Sequence, residues 1–596
     1  MPICIFVHFV LEYAQAVNEV LRKRIGKLFV VNSYLPKMLL AALIGLGTGL
    51  VAIAFHAGLD FATSWIQGVF SGWTIVFAPA IGGLLCGLLI YKITKTPEVA
   101  GQGTDNMIYS FHHRGGRVRP RVVPIKFFAS LITLGSGGSA GYEGPASQMG
   151  SGVASSLTNL FKMPRNVQRQ FTLAGMAAGL GAIFKAPLAG ALTSVEVLYR
   201  EDFESSAFGT SIIASVVAFA VYTSWAGTDP TFLVPLFSFA NGKELFAYAL
   251  LGLSCVPVSF VYVKSYNWVE NKFAAWKIPP FLKPAIGGCF VGLIVLVYPQ
   301  VMGGSLDYVS GIMSMMRSAQ GLSMLFLLGL VIAKIVATAF TVGSGGSGGV
   351  FGPSLFIGGI FGAFFAGLVE WVLPGTLREP GAMVLVGMGA FFAGAAKAPI
   401  AGVVMVCEMT GSYSLLPGLL IAAVSHIAFS RRWSIYKSQV KNKFASPAHH
   451  MEMDSDVLRV MTVDEVMSME PVVSLQGHML VSEVQKVIDS TYKKEKGTRH
   501  MFPVYEGDEY LGLLDQSVVF RYVAGHESMS SFILVSDCVT NVPLVRESMD
   551  LHSAMRFLLQ HGMSEVYVRN QAGEITGMLT YSDLLHAYDQ LVTKRT

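Results

Sequence analysis

The chain has 596 residues, 52% of them hydrophobic and only 14% charged, and a mean hydropathy of +0.53. That balance excludes an ordinary soluble globular protein. The net charge of +5 is spread along the chain and offers no basic patch for nucleic acid.

Residues 10–30 read as an amphipathic helix carrying Arg22, Lys23, Arg24 and Lys27, so 1–33 form a cytoplasmic N-terminal helix segment. The first ten residues are apolar but lack a basic n-region and a cleavage site, so no cleavable signal peptide is evident. Spans follow over 37–65 and 73–91, each long enough to cross about 30 Å of hydrocarbon. The loop with Arg114, Arg117, Arg119 and Arg121 is basic, which places it in the cytoplasm, where it could also draw anions inward.

Residues 122–161 contain the stretch around which the rest is organised: Gly135-Ser-Gly-Gly-Ser-Ala-Gly-Tyr-Glu143-Gly-Pro145. Glu143 is the only formally charged side chain between Lys126 and Lys162. A carboxylate at membrane depth costs roughly 2.5–3.5 kcal/mol on insertion scales and is by default functional. The glycines leave backbone N–H groups unshielded, and Pro145 suits the first turn of a helix, whose N-terminus attracts anions. The stretch reads as an anion site with its own titratable group.

Further spans are expected at 170–198 and 206–224, with a polar connection at 229–242. The second half follows with helices at 244–269, 283–298, 322–340, 351–371, 382–396, 400–408 and 415–429. It repeats the first. Gly343-Ser-Gly-Gly-Ser-Gly-Gly-Val-Phe351-Gly-Pro353 matches the first stretch at eight of eleven positions, 208 residues on. Lys185-Ala-Pro187-Leu-Ala-Gly190…Glu196 recurs as Lys397-Ala-Pro399-Ile-Ala-Gly402…Glu408, 212 residues on. Two motifs in one order at nearly one offset mean a duplicated membrane unit, with repeats at about 34–228 and 243–436. Glycine- and proline-broken segments paired across two halves point to a transport site where the repeats meet. The halves differ at one telling place: Glu143 in the first is Phe351 in the second.

Arg431 and Arg432 close the last span and put the C-terminus in the cytoplasm. Residues 437–456 read as a linker, and 457–596 as a soluble α/β module of two similar halves, about 457–525 and 534–596. Strands 501–505 and 510–514 with a helix at 517–523 recur as 565–569, 575–579 and 582–588. The six cysteines are scattered and read as buried small hydrophobes, with neither disulfides nor metal ligands. His112, His113, His449 and His450 are adjacent pairs read as solvated loop residues, since no third ligand completes metal spacing.

The membrane part resembles the CLC family of chloride channels and chloride/proton antiporters over most of residues 35–445. Gly141-Tyr-Glu-Gly-Pro145 is similar to that family's Gly-Arg-Glu-Gly-Pro motif, with Tyr142 in place of Arg, and Gly349-Val-Phe-Gly-Pro353 matches its GxFxP motif. Ala100-Gly-Gln-Gly-Thr104 falls where the family has GSGIP, with Gln102 in place of the central serine, and Tyr436 falls at its central tyrosine. The resemblance implies an all-α polytopic membrane domain of inverted repeats, a homodimer, and one chloride pathway per subunit gated by Glu143. It implies anion contacts from Gln102, Gly141, Tyr142, Val350, Phe351 and Tyr436. The inner glutamate that the antiporters use for protons aligns with Val197, leaving channel and antiporter both open; Glu196 beside it reads as structural. The tail is similar to a tandem pair of cystathionine-beta-synthase (CBS) domains, in which Thr580 and Asp583 would hold ATP, ADP or AMP. Another anion such as nitrate, or a CBS-regulated cation transporter, are the alternatives. An enzyme is excluded by the lack of a P-loop ending, a nucleophile elbow or an HExxH motif.

Overall fold

The computed structural model describes residues 34–232, 242–317, 323–449, 458–459, 461–469, 472–492, 501–525 and 532–595. The helix expected at 10–30 and His450 lie outside them. The chain divides into two compact units at Ala448/His449.

The membrane unit repeats one helix order twice. The first half runs α1 (Tyr34–Val69), α2 (Ala78–Gly87), α3 (Gly103–Arg114), α4 (Val122–Gly135), α5 (Glu143–Leu160), α6 (Arg165–Ile183), α7 (Pro187–Glu196) and α8 (Phe208–Ala226). The second runs α9 (Gly242–Ala275), α10 (Lys283–Val297), α11 (Leu306–Arg317), α12 (Met324–Gly343), α13 (Phe351–Val372), α14 (Ala382–Ala396), α15 (Pro399–Thr410) and α16 (Leu416–Phe429). Seven helical segments among the described residues are long and apolar enough to cross a membrane. α3 and α11 were not read from the sequence; both are short, and α3 has too few apolar residues to stand out from a loop.

Small residues let the helices approach to backbone contact. A methyl group on Gly150 of α5 would strike the carbonyl of Gly175 on α6, and one on Gly175 would strike the carbonyl of Gly150. Gly358 of α13 and Gly387 of α14 meet in the same mutual way. This is the close packing that small residues permit between apolar helices. The Lys-Ala-Pro motifs turn the chain in both halves: Lys185 and Lys397 adopt left-handed φ of 52° and 61°, and Pro187 and Pro399 then open α7 and α15.

The glycine-rich stretch breaks what the sequence read as one span at 122–161 into α4 and α5. Non-helical backbone at that depth needs partners from protein. The two repeats supply them to each other. Gly141 and Gly349 exchange N–H···O bonds of 2.9 and 2.8 Å, and β1 (Gly101–Gln102) pairs in parallel with β2 (Ser347–Gly348). Hydroxyls finish the accounting: Ser139 N–H donates to Thr341 Oγ1 at 3.0 Å and Ser347 N–H to Thr133 Oγ1 at 3.2 Å.

Residues 437–448, expected as linker, pack with the membrane unit. The Gln439 amide donates to the carbonyls of Val197, Tyr199 and Ala396 at 2.9–3.1 Å. Val440 bridges Tyr199, and Asp105 accepts the N–H and hydroxyl of Ser438 at 2.8 and 3.0 Å.

The second unit contains two sheets of one design. β3 (Leu475–Gln476) lies parallel to β4 (Met501–Glu506), which is antiparallel to β5 (Glu509–Asp515); β6 (Val545–Arg546), β7 (Glu565–Arg569) and β8 (Ile575–Thr580) repeat that order. Each sheet has its helices: α17 (Val481–Tyr492) and α18 (Gln516–Gly525), then α19 (Leu551–His561) and α20 (Tyr581–Arg595). Backbone bridges Ser468–Met578 and Leu513–Thr540 tie the two halves to each other.

Candidate functional site

α5 and α13 both begin in glycine-rich turns, and both turns are pinned by the Gly141–Gly349 bridge, so two helix N-termini converge. Glu143, the first residue of α5, is buried, and its Oε1 accepts the N–H of Gly352 at 2.6 Å, in the first turn of α13. A methyl group at Gly141, Gly349 or Gly352 would meet this carboxylate. The three glycines therefore make the room, and the free N–H groups with the helix dipole supply the attraction for a negative charge. The group in the cradle is the chain's own carboxylate.

The other residues singled out from sequence lie around this cradle. The N–H of Gly141 is used in the bridge to Gly349. The Tyr142 ring lies between His56 and Phe184, at centroid distances of 6.3 and 6.2 Å. Val350 is the residue before α13, and its carbonyl accepts the hydroxyl of buried Tyr262 at 2.8 Å. Phe351 packs on Phe392 at 3.9 Å and Phe184 at 5.1 Å. Gln102 ends β1, uses one amide hydrogen on the carbonyl of Ile435 at 3.1 Å, and so lies beside Tyr436. Its Oε1 and the Tyr436 hydroxyl are both buried and, among the described residues, have no hydrogen-bond partner. Gly103, the next residue, packs against the Gly144 carbonyl, which sets the Gln102 turn against the start of α5.

The sequence reading missed Phe184 and Phe392, which extend the aromatic wall on either side of Phe351. It also missed a matched pair of buried lysines. Lys126 donates to the carbonyls of Val99 and Gly101 at 2.9 and 3.1 Å; Lys334 donates to Val301 and Gly303 at 2.9 and 2.7 Å and to Ser305 Oγ at 3.0 Å. Their shared 208-residue offset, the same as that of the glycine stretches, was the available signal.

Glu196 and Glu408 cap each other's helices. Glu196 accepts the N–H groups of Ile400 and Ala401 at the start of α15, at 3.1 and 2.7 Å. Glu408 accepts those of Leu188 and Ala189 at the start of α7, at 3.1 and 2.8 Å. Val197 is fully buried and apolar.

Three expectations need correction. His112 is buried, not solvated: helix α3 turns it inward, where its ring nitrogens meet Ser446 Oγ at 2.8 Å and the Leu198 carbonyl at 3.1 Å, while His113 one position on is exposed. His449 is buried as well. Cys289 is exposed on α10, where an apolar surface costs nothing in lipid. In the arginine loop, Arg119 and Arg114 share the single carboxylate of Glu98, while Arg117 donates to the uncharged amide oxygen of Gln168.

In the second unit, Asp583 Oδ2 accepts the N–H and hydroxyl of Thr580 at 2.9 and 2.7 Å, at the corner where β8 enters α20. The first half has Asp515 at the matching corner, accepting the N–H of Ser517 at 2.7 Å.

Residues 82–431 match the family model described as voltage gated chloride channel, and residues 535–590 match that of the CBS domain. The chain is 31% identical over 405 residues to an H(+)/Cl(-) exchange transporter of Vibrio campbellii, covering 65% of this chain and 85% of that protein. It is 30% identical over 423 residues to a chloride channel protein of Arabidopsis thaliana, covering 64% of this chain and 52% of that protein. Among solved structures, a slow cyanobacterial Cl-/H+ antiporter aligns with a TM-score of 0.59 at 23% identity, over 67% of this chain and 96% of that one. A eukaryotic CLC transporter aligns with a TM-score of 0.56 at 19% identity, over 92% of this chain and 98% of that one.

Proposed function

Because the chain belongs to the voltage-gated chloride channel family, we propose that it moves chloride across a membrane in exchange for protons, with Glu143 as the gate. The observation that carries this reading is the Glu143 carboxylate held on the Gly352 N–H. A carboxylate and a chloride ion seek the same donors, and one cradle takes one of them. Protonation removes the carboxylate's charge and its claim on the N–H groups, so the cradle opens to the anion as pH falls.

Gln102, Tyr436 and Phe351 border the inner continuation of the path in this reading. The buried Tyr436 hydroxyl has no hydrogen-bond acceptor among the described residues and can donate to an anion. Gln102 in place of a small hydroxyl is where selection among chloride, nitrate and other anions would be set. Two copies of the chain form a homodimer with separate pathways, and both termini lie in the cytoplasm. At the second unit, Thr580 and Asp583 would hold an adenine nucleotide in this reading: the Thr580 hydroxyl is engaged on Asp583 Oδ2, and Asp583 Oδ1 would accept a ribose hydroxyl.

A second reading, a passive chloride channel, is favoured by Val197. It is apolar, and its acidic neighbour Glu196 is engaged on two N–H groups of α15. The two readings separate in liposomes carrying the purified protein. A chloride gradient is imposed and external pH followed, with an uncoupler control. Uphill proton movement that disappears in Glu143→Gln supports exchange; chloride flux without proton movement supports the channel. Loss of chloride flux from correctly folded Glu143→Gln overturns the gate.

A further inference from the structure

Where the chain passes from α3 to α4 there is a cavity of about 50 Å³, lined by none of the residues placed at the Glu143 cradle. Gly115 and Gly116 follow α3 with left-handed φ of 61° and 74°, so the chain doubles back. That turn sets Arg117 and Arg119 in the same wall as Arg114. Glu98, in the short turn Pro97–Val99, is the one carboxylate in this lining among the described residues. It pairs with Arg119 and Arg114, whose side chains remain 50% and 52% exposed, so water reaches the site and the pairs are weak. Three guanidinium groups against one carboxylate leave two positive charges at the wall.

A second observation says what kind of anion the wall lacks. Gln148, in the second turn of α5, lines the same cavity and is only 3% exposed. Its Nε2 donates to the Glu98 carbonyl at 3.0 Å, and because a carbonyl only accepts, this bond fixes which way the amide faces. Its Oε1 is buried and has no hydrogen-bond partner among the described residues. A buried acceptor without a donor is costly, so the site is short of one donor as well as of negative charge. Chloride brings charge but no donor, and the arginines repel a cation. What answers both needs is an anion that carries an O–H group. One water takes at least about 10–15 Å³ of such space, so the cavity has room for about four oxygens, the number in a tetrahedral oxyanion.

We propose that this cavity binds a hydrogen phosphate group, with its charged oxygens on Arg114, Arg117 and Arg119 and its O–H donating to Gln148 Oε1. The planar guanidinium fork matches two phosphate oxygens at once. The Tyr109 ring, 5.3 Å from the Arg114 guanidinium, supports that side chain at the rim. The group arrives either as free phosphate or as the phosphomonoester head of phosphatidic acid.

The test uses sulfate, which has the shape and charge of hydrogen phosphate but no O–H at neutral pH. The thermal unfolding temperature of the full chain in detergent is titrated with sodium phosphate and, separately, with sodium sulfate, at fixed ionic strength and fixed chloride. Phosphate is expected to half-saturate the shift at a concentration about tenfold or more below that of sulfate, because a site built for an O–H rejects the analogue without one. Gln148→Met should bring the two anions to within about twofold of each other. Arg117→Gln/Arg119→Gln, at two exposed positions, should weaken phosphate about tenfold or more. Asp583→Ala should leave the difference between the anions in place. Equal half-saturation of the parent by both anions overturns the proposal. So does phosphate binding that survives Arg117→Gln/Arg119→Gln, or that disappears in Asp583→Ala, which would assign it to the second unit. Phosphatidic acid and phosphatidylglycerol are then mixed into the micelles in turn. Competition with phosphate by the first alone, whose phosphate keeps an O–H, identifies the lipid head as an occupant; competition by neither identifies the free ion. Equal competition by both means that charge alone is read and overturns the role of Gln148.

Discussion

At Gly352 a single methyl group would meet the Glu143 carboxylate, so the cradle's occupancy is set by the absence of a side chain. Gly352→Ala is expected to push the carboxylate out of its seat, raise chloride flux at neutral pH and flatten its pH dependence; efflux from liposomes across a pH series measures this. Unchanged flux and pH dependence would place the anion's donors elsewhere. The Val350 carbonyl just before this turn depends on the Tyr262 hydroxyl. Tyr262→Phe removes one of the two hydrogen bonds that this carbonyl accepts, the other coming from the Ser354 N–H at 3.2 Å, at a cost of about 0.5–1.5 kcal/mol, to be read as a lowered thermal unfolding temperature in detergent. The residue scale also explains why Glu143 was legible and Phe184 was not. A lone carboxylate in an apolar run stands out, whereas one phenylalanine among the 39 of this chain carries no local mark.

Short helices at the repeat boundary are held by exchange rather than by length. α7 has 10 residues and α15 has 12, too few to be stable alone. Each has its first N–H groups capped by a glutamate from the last turn of the other, Glu408 for α7 and Glu196 for α15. Glu196→Gln or Glu408→Gln should each cost about 1–2 kcal/mol through loss of a charged cap. Because α7 and α15 pack together, the double substitution should cost less than the sum. Proton movement in liposomes should be unaffected by Glu196→Gln; a loss would give this residue a proton-carrying role beside Val197. The capping was half visible in sequence: the eleven-residue spacing from lysine to glutamate recurs in both halves, but nothing local says that each glutamate serves the other repeat's helix.

Over the whole molecule, the membrane unit closes only with residues 437–448. Gln439 ties the carbonyls of Val197, Tyr199 and Ala396, and Lys443 N–H donates to Asp202 at 2.9 Å. A chain ending at Ala448 should therefore insert and move chloride, while one ending at Tyr436 should lose both yield and flux, as size-exclusion profile and liposome efflux will report. The second unit has its own apolar clusters, one under each sheet. In the full chain, Asp583→Ala should weaken ATP and AMP binding in a titration without altering the membrane unit's chloride flux. Unchanged binding would remove Asp583 from the nucleotide site.

The sequence by itself determined that the chain crosses a membrane, that its membrane part is duplicated, and that a glutamate stands in a glycine-rich turn at one helix start. Those are properties of composition, offset and local backbone freedom, and they need no knowledge of what lies opposite. The similarity of the two tail halves was legible for the same reason. Only the tertiary structure decided which donors face Glu143, that Gln102 lies against Ile435 beside Tyr436, that His112 turns inward, and that 437–448 belong to the membrane unit. Each of these is a contact between segments far apart in the chain, made by the crossing of two repeats, and such crossings leave no periodic trace in the segments that make them.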